Sequence, residues 1–180
     1  MKTILSAKLS DQLTKIPENE AQKKQLENHV FWQNKIWVLK IIHKWISRHA
    51  NMQHLEKSRE SLNIYNNFHN TYAIPFCKDI IAMISKYKIQ FMPSAAIYFS
   101  LKYIASGIQT KNTMGYMFPF LENIVYKCLI PCLELTPEDQ EIWNQNPKEY
   151  IQRDKYDSEI EEDPRSITRT LLEELAQIQT

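Results

Sequence analysis

The chain has 180 residues, of which 43% are hydrophobic and 24% charged, so it is long enough for one domain with a core or for a few stacked repeats. Its two glycines, Gly107 and Gly115, are too few for a β-sandwich, a β-barrel or a glycine-rich phosphate loop. No stretch approaches the roughly 18 apolar residues of a membrane span. The opening sequence MKTILSAKLSDQL also lacks the apolar run of a secretory signal. We therefore expect a soluble, intracellular protein.

Charge is divided unevenly along the chain, although the net charge is only +1. Residues 1–133 carry 17 Lys/Arg and 8 Asp/Glu, whereas residues 134–163 carry 3 Lys/Arg and 11 Asp/Glu. An acidic block beside basic helices suits a basic partner. It suits equally a solvated linker that pairs with its own basic neighbours. The sequence leaves both interpretations open.

Apolar residues recur with the period of an α-helix along most of the chain, and no segment is a credible strand. In the segment 30–49 one apolar face is expected to be buried, with its tryptophans as inward anchors. This face contains Trp37, Val38, Ile41, Ile42 and Trp45. A longer apolar stripe over 62–87 includes His69, which we expect to be a hydrogen-bonded core histidine. The same stripe contains Pro75, which should bend or split the helix near Ile74.

Three further helices follow. Pro93 opens a helix that should stop near Gly107, and an apolar stripe over 120–132 predicts the next one. Asp163 is placed to cap a last helix, with Pro164 at the first helical position. The inward residues of the first and last of these helices are Ile97, Leu101, Ile104, Ile108, Ile167, Leu171, Leu175 and Ile178.

The predicted helices are joined mostly by short connections, which places successive helices antiparallel. One neighbour cannot cover each apolar stripe, whereas stacked helix pairs can. The sequence therefore predicts an all-α fold, an α-solenoid of antiparallel helix pairs of the HEAT or armadillo type. An irregular closed helical bundle is the alternative. We divide the chain into a partial leading helix and linker (1–27), HEAT-like repeats (28–133), an acidic inter-repeat insertion (134–163) and the first helix of the next repeat (164–180).

The acidic insertion contains two similar helix starts. Thr136 offers a capping hydroxyl before Pro137, and a carboxylate follows three residues after the threonine. Residues Asn146 to Glu149 repeat this pattern with an asparagine as the cap. We therefore predict two short capped helices, the first anchored by Ile142 and Trp143 and the second by Tyr150 and Ile151.

Three motifs occur in order over roughly residues 25–180. The residues that form them are Trp32, Lys35, Trp37, Trp143, Pro147, Glu149, Tyr150, Pro164 and Arg165. In this order they resemble motifs of the importin-β-like karyopherins of the importin seven/eight branch. The motifs of that branch are W-x-x-K-x-W, which opens a HEAT repeat, a leucine-tryptophan step with D-P-x-E-Y-I, and an S-P-R step after an acidic tract. Asn146 and Asp163 replace the family's aspartate and serine, and both are good caps.

The resemblance implies a segment of a nuclear transport receptor that supports protein import and shuttles between nucleus and cytoplasm. Its partners would be protein cargo and nuclear-pore repeat proteins, and the full-length receptor would bind the GTPase Ran through repeats outside this segment. Opposite charge makes the acidic insertion the candidate contact for basic cargo. We assign that contact to Glu159, Glu161, Glu162 and Asp163. A stand-alone helical adaptor and a truncated, non-functional remnant are the alternatives.

No pattern in the sequence indicates catalysis, a metal or a cofactor. Cys77, Cys128 and Cys132 lie in apolar runs and are expected to be free, buried thiols. No histidine has the spacing to complete a metal site with Cys128 and Cys132, and Pro131 disturbs the geometry between them. Basic residues such as Lys40 have no exposed aromatic platform beside them, so we do not expect nucleic-acid binding.

Overall fold

A computed structural model of the protein describes residues 1–7, 10–49, 59–152 and 162–178. Within these ranges most residues lie in helices and no β-strand forms. The one β-type contact there is an isolated bridge between Tyr87 and Gln90. The predicted all-α fold is therefore confirmed.

Thirteen α-helices are described in these ranges. They are α1 (Lys2–Ser6), α2 (Asp11–Thr14), α3 (Glu20–Glu27), α4 (Val30–His49), α5 (Arg59–Phe68), α6 (Ile74–Ile84), α7 (Ser94–Ile108), α8 (Lys111–Met117), α9 (Leu121–Ile124), α10 (Ile130–Leu133), α11 (Pro137–Gln145), α12 (147–152) and α13 (Pro164–Ile178). A π turn, His69–Ala73, joins α5 to α6. A 3₁₀ turn, Phe118–Phe120, joins α8 to α9, and a second π turn, Val125–Leu129, joins α9 to α10. Residues 59–84 and 111–133 are therefore two continuous helical rods.

The helices pack in two rows. The first row is α4, α7 and α13, in which α7 touches both of the others; the second consists of the two rods, which touch through α6 and α8. Contacts of α7 with α6 and α8, and of α13 with α10, join the rows. From α4 onward the chain alternates between the rows, as in an α-solenoid, and the predicted solenoid class is confirmed. The division of the chain into repeats stays a prediction. Residues 134–163 connect α10 to α13, and these two helices contact each other.

The helix at the centre of this packing is α7. Its predicted inward residues Ile97, Leu101, Ile104 and Ile108 are all buried. The Tyr103 hydroxyl, also buried, donates a hydrogen bond of 2.7 Å to the carbonyl of Ala73 at the end of the first π turn. Gly107 allows the close approach of α8, because a β-carbon added there would lie 2.9 Å from Met117 Cε.

Pro75 and Pro131 do not split their helices, which corrects the expectation of a split at Pro75. Ile74, directly before Pro75, donates its amide hydrogen to the His69 carbonyl, five residues back. Ile130, before Pro131, does the same to the carbonyl of Val125. A proline ring clashes with the carbonyl four residues earlier in a regular α-helix, and the wider π turn relieves that crowding. The rods continue through both prolines for this reason.

The buried face of α4 differs from the predicted one. Val38 and Ile42 are buried as expected, but Trp37 is 62% exposed, and Ile41 and Trp45 are also exposed. The residues that α4 buries instead are Trp32, Lys35, Ile36, Leu39 and Ile46. This helix is apolar around much of its circumference, and its contacts with α1, α3 and α7 decide which stripe is covered.

His69 is a core residue, as predicted, but neither of its ring nitrogens has a hydrogen-bond partner among the described residues. Its ring centroid lies 4.2 Å from that of Tyr65 and 5.5 Å from that of Phe68. Burial lowers the pKa of His69, because the charged imidazolium would lose its hydration. Burial, with a smaller contribution from the charge of Lys102, also lowers the pKa of His43.

We expect mild acid to destabilise the protein. The unfolded chain takes up protons at the ordinary histidine pKa of about 6.5, whereas the folded chain resists them, so stability should fall as the pH drops below that value. Replacing the unpaired imidazole by an apolar ring, His69→Phe, should weaken this pH dependence and stabilise the fold by up to about 1 kcal/mol. Thermal melts at about pH 7.5 and about pH 5.5 measure both effects. The exposed His29 provides the control, His29→Phe, and equal pH dependence in all three proteins would contradict the prediction.

Candidate protein-interaction surfaces

Both helix starts of the acidic segment form as predicted. The Thr136 hydroxyl accepts a hydrogen bond from the Asp139 amide (3.1 Å), and the Asp139 carboxylate accepts one from the Thr136 amide (2.9 Å), which makes a complete capping box for α11. The Asn146 side chain accepts a hydrogen bond from the Glu149 amide at 3.3 Å and donates one to the Glu149 carboxylate at 3.1 Å. Pro147 then begins α12.

The aromatic anchors of the two short helices pack mainly on each other. Trp143 and Tyr150 meet edge to face, with ring centroids 5.5 Å apart and an interplanar angle of 87°. Trp143 remains exposed, Tyr150 is half-buried, and Ile151, a predicted anchor, is exposed. An exposed indole held in a fixed orientation is a contact that a protein partner can use.

Arg165 fastens the acidic segment to the start of α13. Its Nη2 donates to the Asp139 carboxylate at 2.8 Å and to the Glu134 carbonyl at 3.1 Å, and both charged side chains are more than four-fifths buried. Partial burial by itself would raise the pKa of Asp139. The hydrogen bonds from Arg165 and Thr136 outweigh that effect, so the pKa of Asp139 is lowered. Asp163 caps α13 by accepting from the amides of Arg165 and Ser166, as predicted.

Two further ion pairs bind acidic side chains to the turn that follows α6 and to α4. Lys88 Nζ lies 3.3 Å from Glu134 Oε2, and Lys40 Nζ lies 2.7 Å from Glu162 Oε1. Glu134, Asp139 and Glu162 therefore each pair with a basic residue of the same chain. Among the candidate cargo contacts, Glu162 and Asp163 are engaged within the chain, while Glu159 and Glu161 lie outside the described residues. A basic partner has to compete with Lys40 for Glu162.

Two residues of the W-x-x-K-x-W motif lie in the interior, and the third lies at the surface. Trp32 is buried and its indole Nε1 donates to the Leu13 carbonyl at 3.2 Å; Lys35 is 4% exposed and its ammonium donates to the Leu5 carbonyl at 2.9 Å. Burial, followed by the charge of Lys86, lowers the pKa of Lys35, and Asp79 opposes this. Trp37 stands exposed beside Lys40, whose ammonium lies 5.8 Å from the ring centroid.

An apolar groove that the sequence stripes do not reveal lies between the second rod and α13. Its volume is about 620 Å³. The walls of this α13 groove include Met114, Phe118, Leu121, Val125, Leu172 and Leu175. Phe118 is 67% exposed and Tyr126 is 65% exposed at its rim. The 3₁₀ turn turns Phe118 outward, and this local change of helix type is what a regular 3.6-residue period cannot predict.

The described residues contain no group of three His, Cys, Asp or Glu side chains placed to hold a metal ion. The three cysteines are buried and free, as predicted. Burial raises the pKa of the Cys77 thiol to about 12, and the hydrogen bond with Cys132, together with burial, raises the pKa of Cys128. Thiols with a raised pKa, as at Cys77 and Cys128, stay protonated and react slowly. In the same part of the chain, every helix is too short or too polar to cross a membrane.

Two rows of stacked helices, with aromatic and acidic side chains exposed on them, define a helical-repeat protein. The sequence profile of the Cse1 family matches residues 62–180, about two-thirds of the chain, and the protein belongs to this family. The resemblance to importin-β-like karyopherins is thereby confirmed.

Curated relatives agree with this assignment. Importin-8 of Danio rerio is 22% identical over 156 residues, which cover 85% of this chain and 15% of that protein. Importin-8 of Homo sapiens is 26% identical over 147 residues, covering 79% and 14%. The importin beta-like SAD2 homolog of Arabidopsis thaliana is 19% identical over 124 residues, covering 68% and 12%. The chain thus spans no more than 15% of the length of these relatives. No solved structure matches it.

We expect the ion pair of Arg165 to hold α11 in place. Arg165→Gln removes the charge that pairs with Asp139, so amide hydrogen exchange in residues 137–145 should become faster and the free energy of unfolding should fall by about 1 kcal/mol. Hydrogen exchange read by mass spectrometry measures the first effect and urea unfolding the second. Lys148→Gln, an exposed change in the same segment, is the matched control. Unchanged exchange in 137–145 would show that Arg165 does not fix α11.

Proposed function

We propose that this chain is a protein-binding segment of an importin-type nuclear transport receptor, working through helical-repeat surfaces and without catalysis. The observation that carries the proposal is the family match over residues 62–180, which includes the acidic segment and α13. Protein cargo and nuclear-pore repeat proteins are the partners, and the receptor shuttles between nucleus and cytoplasm. Contact with Ran belongs to other segments of a full-length receptor.

The α13 groove is the proposed site for phenylalanine side chains of nuclear-pore repeat proteins. Its walls are apolar, and its volume of about 620 Å³ lies within the range of protein pockets that take small ligands. The exposed Phe118 at its rim can pack against an incoming aromatic ring, and such ring pairs add to the free energy gained from burial. Repeated weak contacts of this sort gain strength when several repeats bind together.

We expect Phe118→Ser to weaken binding of a short peptide with two Phe-Gly units by about tenfold, because the rim loses its aromatic contact. Fluorescence polarisation with a labelled peptide measures the affinity. Phe118 is mostly exposed, so the change should leave folding intact. Ile89→Ser removes an equally exposed apolar side chain outside the groove and serves as the control. Equal affinities for Phe118→Ser and the parent would reject the groove as the binding site.

The acidic segment is the proposed site for basic cargo. Its two capped helices order the backbone of residues 136–152, which reduces the entropy lost when a partner binds that part of the segment. Its internal ion pairs do not exclude this role. Lys40 and Glu162 each keep about one-third of their side-chain surface exposed, so a more highly charged cargo peptide can replace Lys40 as the partner of Glu162. Glu159, Glu161, Glu162 and Asp163 remain the proposed contacts.

Binding of a polybasic peptide should weaken steeply as NaCl rises from about 50 to about 500 mM, because screening shortens the range of the attraction. Changing Glu159, Glu161 and Glu162 together to glutamine should reduce the affinity at low salt by about tenfold. Calorimetric titration measures both effects. The double variant Glu18→Gln with Glu20→Gln removes exposed carboxylates outside the segment and is the control. If the affinity changed neither with salt nor in the triple variant, the acidic segment would be excluded as a cargo site.

A further inference from the structure

The first residues of the chain lie across the first two helices of the stack. Helix α1 contacts both α4 and α6, and residues 10–15 continue past the turn that follows α6. We call residues 1–7 and 10–15 the strap. Its role does not depend on the proposed function in transport.

Three donors on the helical body hold the strap, and all three bind backbone carbonyls. Lys35 Nζ donates to the Leu5 carbonyl at 2.9 Å, and Trp32 Nε1 donates to the Leu13 carbonyl at 3.2 Å. The backbone amide of Phe91 donates to the carbonyl of Thr14 at 2.7 Å. Because every residue has a backbone carbonyl, these donors do not select a side chain. They bind the backbone of a peptide that follows this course, whatever its side chains.

One side chain of the strap provides most of its apolar contact. Leu5 is 2% exposed and belongs to the hydrophobic core, whereas the other residues of α1 are exposed and α2 has no buried residue. The recognised pattern is therefore one aliphatic side chain together with carbonyls at Leu5, Leu13 and Thr14.

The strap does not fill the space beneath it. A cavity of about 420 Å³ remains between the strap and the body, bordered by Leu5, Thr14, Trp32, Lys35, Asp79 and Met83. Asp79 Oδ2 is buried there without a hydrogen-bond partner among the described residues. An incompletely filled contact with few buried side chains is a contact that another peptide can replace.

We propose that the groove formed by Trp32, Lys35 and Phe91 is a peptide-binding site and that the strap is its exchangeable internal ligand. The partner is a segment of another protein that carries an aliphatic side chain where the strap has Leu5 and offers backbone carbonyls along the same path. The strap is tethered, so its effective concentration at the groove is in the millimolar range and it excludes weak peptides. A competing segment binds once the strap is released.

The test uses the full chain and a labelled peptide with the sequence of residues 1–17. Leu5→Ala in the protein removes the apolar anchor of the strap and should increase the affinity for the peptide by about tenfold over the parent. Ile4→Ala, an exposed neighbour in α1, should leave the affinity at the parent value. Fluorescence polarisation reports binding, and circular dichroism verifies that each variant is folded.

Two further changes distinguish specific binding of the peptide in the groove from non-specific binding to the protein surface. In the Leu5→Ala background, Lys35→Met removes one carbonyl donor and should lower the affinity by about tenfold. Trp32→Phe removes another donor while keeping an aromatic ring, and it provides the same test if the lysine variant fails to fold. A peptide carrying Leu5→Ala should also bind at least about tenfold more weakly. Peptide binding that is the same for Leu5→Ala and Ile4→Ala, or that does not depend on the peptide's leucine, would overturn the proposal.

Discussion

Burial of α7 between α4 and α13 and against the two rods is the constraint on which the rest of the structure depends. Helix α7 touches α4, α6, α8 and α13, and residues such as Leu101 and Ile104 are completely buried by these neighbours. An apolar helix of this kind is stable only when it is covered on several sides, because its exposed surface would cost free energy in proportion to its area. The strap and the α13 groove lie at the margins of the same packing.

Polar interactions, by contrast, position the acidic segment. Its aromatic residues Trp143 and Tyr150 pack on each other, and the link to α13 passes through Arg165 and Asp139. Salt screens the interactions between exposed charged groups. The molecule therefore combines an apolar framework with a segment that is attached through charged and polar side chains.

The sequence predicts best those features that depend only on neighbouring residues. The caps at Thr136, Asn146 and Asp163 depend on neighbouring residues alone, and all three form. The apolar stripe of α7 repeats with the helical period, and the residues predicted to face inward are all buried. The exposure of Trp37 and the outward turn of Phe118 depend on tertiary contacts and on a change of helix type, which a fixed period does not contain. The internal partner of Glu162, on α4, is likewise remote in sequence.

The first π turn has a consequence for how one long helix serves several neighbours. It holds one more residue per turn than an α-helix, so the side chains beyond it are rotated by about 100° from the regular continuation. Before the turn, Phe68 meets Trp45 of α4; after it, Ile80 and Ile84 enter the core. The rod therefore runs from its aromatic contact with α4 into the core without a loop between the two.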